Sequence, residues 1–469
     1  MFRPLLPLIR RLHFYAGILI APFLLVATVS GGLYALAPSA EAVVYRDLLT
    51  TQHDGPPRTI AAQVESARAA QHGEVTAVDP AAEPGQTTRV YFTDPSLGES
   101  ERRTVFVDPA SARVLGSSVT YGSNGALPMR AWISQLHRNL HLGEPGRVYS
   151  ELAASWLWVV ALGGLALWLN RFRTRRRNTG APWWRVGVVE RRGNQRARTL
   201  NWHGAVGVWL VVGVVFLSAT GLTWSQYAGA NIADLRSHLS WQRPSLPSAP
   251  SSHHHHDGPV VAVDDDRLDD LLTTARNHGL DGRVEIALPT EAGSPVTITQ
   301  TRQPWRYTVD SIAVDPVSMH VTAQLPFSQW SWPAKLTDWA IQLHMGILFG
   351  WVSALALFSL MAALTTVIVR GYLMWWRRGP GTRPGRAPKR GTWRTAAVAA
   401  DRRSRTAFAL LIAATVLVGW FVPLLGISLL AFLVVDAAVG RFAATPPVAE
   451  SSDPEVSATV GARTASSDP

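Results

Sequence analysis

The sequence predicts a polytopic α-helical membrane protein with two small α+β domains outside the bilayer, the helix-domain-helix unit being written twice. Three observations predict it: long apolar runs, arginines clustered beside some of those runs, and motif pairs at fixed offsets. Of the 469 residues 47% are hydrophobic and 19 are Trp, and the mean hydropathy of +0.08 is high for a soluble chain of this length. The net charge of +11 is concentrated in short arginine-rich segments next to apolar runs. That is the positive-inside pattern, and it speaks against nucleic-acid binding. The chain has no cysteine, so disulfides, iron-sulfur clusters and thiolate metal sites are excluded.

A bilayer-spanning helix needs about 20 apolar residues. The first run, His13 to Leu36, follows "RPLLPLIRR" without a small-residue cleavage site. Residues 1–37 therefore read as an uncleaved signal anchor with a short cytoplasmic N-terminus. Residues 38–150 form the first outside domain, and Leu152 to Leu169 supplies the second span, 151–170. "RFRTRRRN" then opens a basic cytoplasmic loop, 171–201. His203 to Trp224 gives the third span, 202–225. The second outside domain, 226–335, contains the low-complexity insertion "RPSLPSAPSSHHHHDGP". The fourth span is expected at 336–376, ahead of a second basic cytoplasmic loop, 377–405. The apolar stretch 406–440 is too long for one upright helix, and "GWFVPLLG" supplies a Pro and two Gly for a break. It predicts a helical hairpin, followed by a disordered tail at 441–469. In each outside domain a helical stretch ("IAAQVESARAAQ"; "RLDDLLTTARNHG") precedes alternating segments closed by Asp-Pro ("RRTVFVDPASARVLG"; "RYTVDSIAVDPVSMHVTA"). Each domain is expected to be a small α+β module whose strands end in hairpin turns.

The chain aligns with itself. Val107 recurs at Val314, Gln135 at Gln342, Gly143 at Gly350, Gly164 at Gly371, Trp168 at Trp375 and Arg171 at Arg378, each pair 207 residues apart. The spans that begin each half are offset by 190: His13 with His203, Gly17 with Gly207, Ser30 with Thr220 and Gly31 with Gly221. Both halves start on the same side, so they are parallel repeats.

The ordered set "LHFYAGI" and "NWHGAVG", "SGGLY" and "TGLTW", the two "QLH...G" motifs, the "VFVDP" and "IAVDP" turns and "WFVPLLGISLLAFLVVD" resembles the PepSY-associated transmembrane proteins from about Arg10 to Val439. These are bacterial inner-membrane proteins implicated in iron uptake, some of them haem-containing ferric-siderophore reductases. The resemblance implies two b-type haems held by membrane histidines and electron delivery to an outside ferric siderophore or other ferric chelate. A cytoplasmic reductase or a membrane quinol would be the donor. The expected location is the inner membrane, multi-pass, with the N-terminus in the cytoplasm.

The histidines make the same argument by themselves. His13 and His203 fall at the cytoplasmic ends of spans, and His137, His141 and His344 at the outer ends. An ionisable residue there is a functional hypothesis. Two helices presenting imidazoles at one depth suit bis-His ligation of haem iron, which pairs His13 with His203 and His137 with His344. Gly17 and Gly207, one turn beyond the first pair, would let a flat macrocycle approach the backbone. His141, whose repeat partner is Leu348, is a substitute ligand or a neighbour of His137. A histidine at a Trp-rich interface can also simply snorkel, and a common origin of the halves would preserve positions without chemistry.

Arg138 and Arg11 are candidates for haem propionates, or are interface anchors. His253 to His256 could catch a metal, although their Pro/Ser surroundings favour a solvated loop. Gly31 and Gly221 suit helix packing. No G-x-G-x-x-G after a strand, P-loop or H-E-x-x-H occurs, so the chain is not expected to bind NAD(P)H, hydrolyse nucleotide or cut peptides. Two other classes stay open beside the reductase: a siderophore import accessory or permease without redox activity, and a regulatory membrane protein whose outside modules bind peptides.

Overall fold

The computed structural model describes residues 5–53, 55–191, 193–246, 264–289, 294–377 and 402–442. His253 to His256, most of the second basic loop and the tail beyond Phe442 lie outside the described residues. In chain order the elements are α1 (Leu6–Val44), α2 (Arg46–Leu49), α3 (Ile60–Ala70), β1 (Val75–Asp79), β2 (Thr88–Phe92), β3 (Glu101–Val107), β4 (Val114–Tyr121), α4 (Pro128–Asn139) and α5 (Gly143–Thr179). There follow α6 (Gln195–Leu222), α7 (Tyr227–His238), α8 (Leu268–Asn277), β5 (Val284–Ala287), β6 (Val296–Gln300), β7 (Ser311–Val314), β8 (Val321–Leu325), α9 (Trp332–His344), α10 (Trp351–Trp376), α11 (Arg402–Phe421) and α12 (Pro423–Phe442).

Among the described residues α1, α5, α6 and α10 are long and apolar enough to cross a membrane. They pack as a ring in which α1 and α6 each touch both α5 and α10. Leu210, Val214, Met361 and Leu364 lie at one of its buried contacts. Several boundaries differ from the sequence reading: α5 begins at Gly143 rather than 151, and α6 runs from Gln195 to Leu222 rather than over 202–225. The first helix runs on to Val44 because Glu41 on its last turns is buried against α4: Glu41 pairs with Arg130 at 3.0 Å and accepts the Leu127 amide at 2.8 Å. The second span continues through the basic segment to Thr179, where Gly180 ends it at φ +68°. The stretch 336–376 is not one helix. It breaks into α9 and α10 at a link holding Gly346 and Gly350 at φ +74° and +54°, a backbone region that glycine enters without steric cost. At 406–440 there are two helices, parted at Val422. Gly419 and Gly426 approach so closely that a Cβ on Gly419 would lie 3.0 Å from the Gly426 Cα. The chain divides into two units after Gly426.

The strands form one antiparallel sheet rather than two, in the order β4-β3-β2-β1-β5-β6-β7-β8. The seam is the β1/β5 pairing, Ala77 opposite Ala287 and Val78 opposite Ile286. Helices α3 and α8 cover one face, and Ile60, Val64, Leu268 and Leu271 join Val78, Val90, Val105, Ile286, Ile298 and Ile312 in a single core. Burying each such side chain is worth about 1.5–3 kcal/mol, so a module split from its partner would lose much of its interior. Polar stitches cross the seam: Arg102 grips Glu285 with two bonds of 3.1 and 3.0 Å, Arg283 pairs with Asp79, and Asp269 caps α3 by accepting the Ile60 amide at 2.9 Å. The Asp-Pro turns are where the sequence put them. Asp108 accepts the Ala110 amide and Asp315 the Val317 and Ser318 amides.

Candidate functional site

Helix α1 runs toward the sheet, so its early residues lie at the end of the bundle away from the sheet. His13 and Gly31, 18 residues apart in the sequence, are separated by about 27 Å along the helix. The structure brings four of the singled-out histidines together in two pairs, one sheet-distal and one sheet-proximal.

In the sheet-distal pair the rings of His13 and His203 have centroids 6.4 Å apart at an interplanar angle of 78°. His13 Nδ1 donates to the Val160 carbonyl at 2.9 Å, and His203 Nδ1 donates to the Val367 carbonyl at 3.0 Å. A carbonyl only accepts, so each ring carries a proton on Nδ1, and in the neutral imidazole that leaves the Nε2 lone pair for a metal. Gly164 and Gly371 seat the rings. A Cβ on Gly164 would come within 2.8 Å of His13 Cε1, and one on Gly371 within 3.6 Å of His203 Cε1. A cavity of about 1070 Å³ reaches both histidines. Gly17 and Gly207 line it, and a Cβ at either would meet nothing within 4 Å.

The sheet-proximal pair stands on the short helices. His137, on α4, donates Nδ1–H to the Ala27 carbonyl at 2.9 Å, with Ser30 Oγ at 3.2 Å from the same nitrogen. His344, on α9, donates Nδ1–H to Thr220 Oγ1 at 2.6 Å, and that hydroxyl passes its own proton to the Phe216 carbonyl at 2.8 Å. Burial lowers the pKa of both imidazoles, and His344 is lowered further by its neighbour His137. Both are neutral at pH 7. Gly31 and Gly221 lie beneath the rings, with would-be Cβ positions 3.1 Å from His137 Cε1 and 3.9 Å from His344 Cε1. Gly31 makes room for the His137 ring, whereas the Gly221 position is in ordinary contact with His344. Trp224, the repeat counterpart of Tyr34, stands edge-on to His344 at 5.2 Å.

His141 is set apart from both pairs. Leu140 and His141 turn left-handed at φ +57° and +55°, which ends α4 and takes His141 off its face. The exposed ring lies on Trp132 at 4.9 Å and its Nε2 is bonded to the Trp132 carbonyl at 3.1 Å. Of the arginines, Arg10 rather than Arg11 lines the cavity. Arg11 is buried near Tyr15, its guanidinium 5.9 Å from that ring's centroid, and Arg138 donates to the Tyr121 hydroxyl at 2.9 Å.

The donor set suits a haem. Neutral imidazoles with free Nε2 atoms, anchored through Nδ1, are the form in which histidine ligates iron. At the distal pair the room left by two mid-helix glycines gives a flat ring access. The cavity does not include the proximal pair, whose fit rests on the matched anchoring alone. The carbonyls of Val160 and Val367 and the seats at Gly164 and Gly371 went unrecognised in the sequence. Any residue supplies a carbonyl, but Gly164 and Gly371 were visible as a repeated pair.

No curated protein matches the chain. The profile of the PepSY-associated TM region matches residues 10–378, and with that match over most of its length the chain belongs to the PepSY-associated transmembrane family, a family of membrane proteins.

Proposed function

We propose that the chain is a di-haem transmembrane electron-transfer protein that reduces a ferric chelate of the siderophore type on the sheet side of a bacterial inner membrane. The observation that carries it is the matched anchoring of His13, His203, His137 and His344 through Nδ1. We read the two halves as copies of one helix-module-helix unit, each giving one histidine to each pair. The arginines at the end of α5 support a cytoplasmic sheet-distal side by the positive-inside rule, and with it a cytoplasmic N-terminus and a sheet outside.

In this reading His13 and His203 hold one haem and His137 and His344 the other. Bound there, the haems would supply one-electron carriers at the two ends of the bundle. The chain itself would orient the ligands through the Nδ1 anchors and offer an apolar lining to the ring. A soluble reductase or a membrane quinol supplies the electrons. A pyridine haemochrome assay on protein purified from haem-replete cells tests the reading. Two haems per chain are expected. Haem-free protein that still binds ferric siderophore would overturn it in favour of an import accessory.

A further inference from the structure

The sheet-distal cavity has two chemically different ends. Around His13 and His203 its lining is apolar, with Leu24, Leu157 and Val214, whereas its end farther from the sheet carries Arg10, Arg171, Arg175 and Arg185 beside Asn170, Asn178 and Asn201. We propose that Arg10, Arg171 and Arg185 form a carboxylate-binding rim that takes the two acid arms of the tetrapyrrole whose iron His13 and His203 hold. The inference rests on the haem reading above and adds how this site orients and selects its cofactor.

The rim continues the surfaces that carry the histidine site. On α1 the cavity-lining positions Arg10, His13 and Gly17 follow helical spacing, and on α5 so do Gly164, Trp168, Arg171 and Arg175. Arg10 is one turn from His13. Arg171 is seven residues past the glycine that seats His13, about 10 Å along the helix. Arg185 lies on the short turn Trp183–Gly187, which is pinned to the spans by the indole donors of Trp168 to the Val186 carbonyl at 2.8 Å and of Trp209 to the Gly187 carbonyl at 3.0 Å.

Charge balance selects the ligand. Glu190 is the only carboxylate among the described residues lining the cavity, and it is engaged by Arg175 at 2.6 Å. Among the described residues no carboxylate pairs with Arg10, Arg171 or Arg185. Positive-inside bias accounts for arginines near this end of the bundle, but it does not ask three of them to border one apolar cavity. Two neighbouring arginines of α5 are engaged elsewhere: Arg173 and Arg176 lie over the Trp183 ring at 5.9 and 5.0 Å. A planar apolar ligand with two carboxylates on one edge matches both ends at once, since guanidinium groups pair carboxylates in charge-assisted forks.

The test uses the full-length chain produced without haem and titrated in detergent with haem or with haem dimethyl ester, which lacks the charged arms. In the wild-type chain the ester should bind roughly tenfold or more weakly than haem at one of the two sites, the expected loss of a charge-assisted contact. The chain carrying Arg10→Gln and Arg171→Gln should lose that discrimination. The midpoint potential of its distal haem should fall, because removing cations leaves the acid arms to stabilise the ferric form. The sheet-proximal haem reports whether the variant has folded. Identical titrations of haem and ester at both wild-type sites overturn the rim whatever the variant does, and leave the haem reading standing. Failure of haem itself to give bis-His spectra overturns the haem reading instead.

Discussion

The sheet-distal and sheet-proximal histidine pairs solve the same problem with different materials. At the distal pair both histidines sit on membrane spans, both bond to backbone carbonyls of neighbouring spans, and mid-helix glycines leave an open cavity. At the proximal pair both histidines sit on short helices outside the four spans, and one of them depends on a hydroxyl, Thr220 Oγ1. The first site is a property of the bundle. The second is a property of how α4 and α9 are strapped down, and the straps are not alike. Helix α4 is tied to α1 through Glu41 and Arg130, whereas α9 is tied to the loop between β6 and β7 through Arg302 and Asp338 at 2.6 Å. Perturbing the bundle core should therefore hurt the distal site alone, and perturbing straps and hydroxyls the proximal site alone.

The largest separation of the two is expected from Gly207→Leu. Space is open above this glycine, and an interior Gly replaced by Leu favours the helix by somewhat under about 1 kcal/mol. The haem-free chain should be at least as stable as wild type, while the distal haem is lost and the proximal one kept. Haem stoichiometry and thermal unfolding measured side by side check this. Glu41→Ala comes next. It leaves Arg130 buried without its carboxylate, a loss of about 3–5 kcal/mol for a buried pair. Denaturant unfolding should show the destabilisation, and haem loss should be confined to the proximal site.

Smaller effects divide the two halves of the proximal site. Thr220→Val removes the only acceptor that, among the described residues, anchors His344, and losing such a support for a metal ligand typically costs about 10–100-fold in affinity. Ser30→Ala should cost less, because His137 keeps the Ala27 carbonyl at 2.9 Å. Haem competition against apomyoglobin ranks the two, and equal losses would show that the hydroxyls do not anchor the rings as described. The smallest effect belongs to His141→Ala, which should leave the haem spectrum as it is.

The histidines were legible as site residues because each is a side chain repeated at a fixed offset, whereas Ser30, Thr220, Gly31 and Gly221 were legible only as repeated positions, without their contacts to the imidazoles. The tethering carbonyls of Val160 and Val367 were not, since a backbone group leaves no mark in composition. The β1/β5 seam was hidden for a related reason. Val75–Asp79 and Val284–Ala287 are short, and the pairing that makes one sheet of two modules is decided by long-range packing rather than by local alternation. The break between α9 and α10 was signalled by Gly346 and Gly350, but the apolar residues around them read as one continuous span. Arg10 and Arg11 differ only in helical phase, and the phase was settled by which face of α1 meets α5.

The pairing itself is tested most directly by low-temperature electron paramagnetic resonance of the wild-type, His203→Ala and His137→Ala chains. The wild type should give two low-spin ferric signals. His203→Ala should lose one of them and His137→Ala the other, with about half the haem remaining in each case, as expected when one axial imidazole is removed from a bis-His site. If both substitutions removed the same signal, or if His137→Ala kept both while His141→Ala lost one, the assignment of His13 with His203 and His137 with His344 would be wrong.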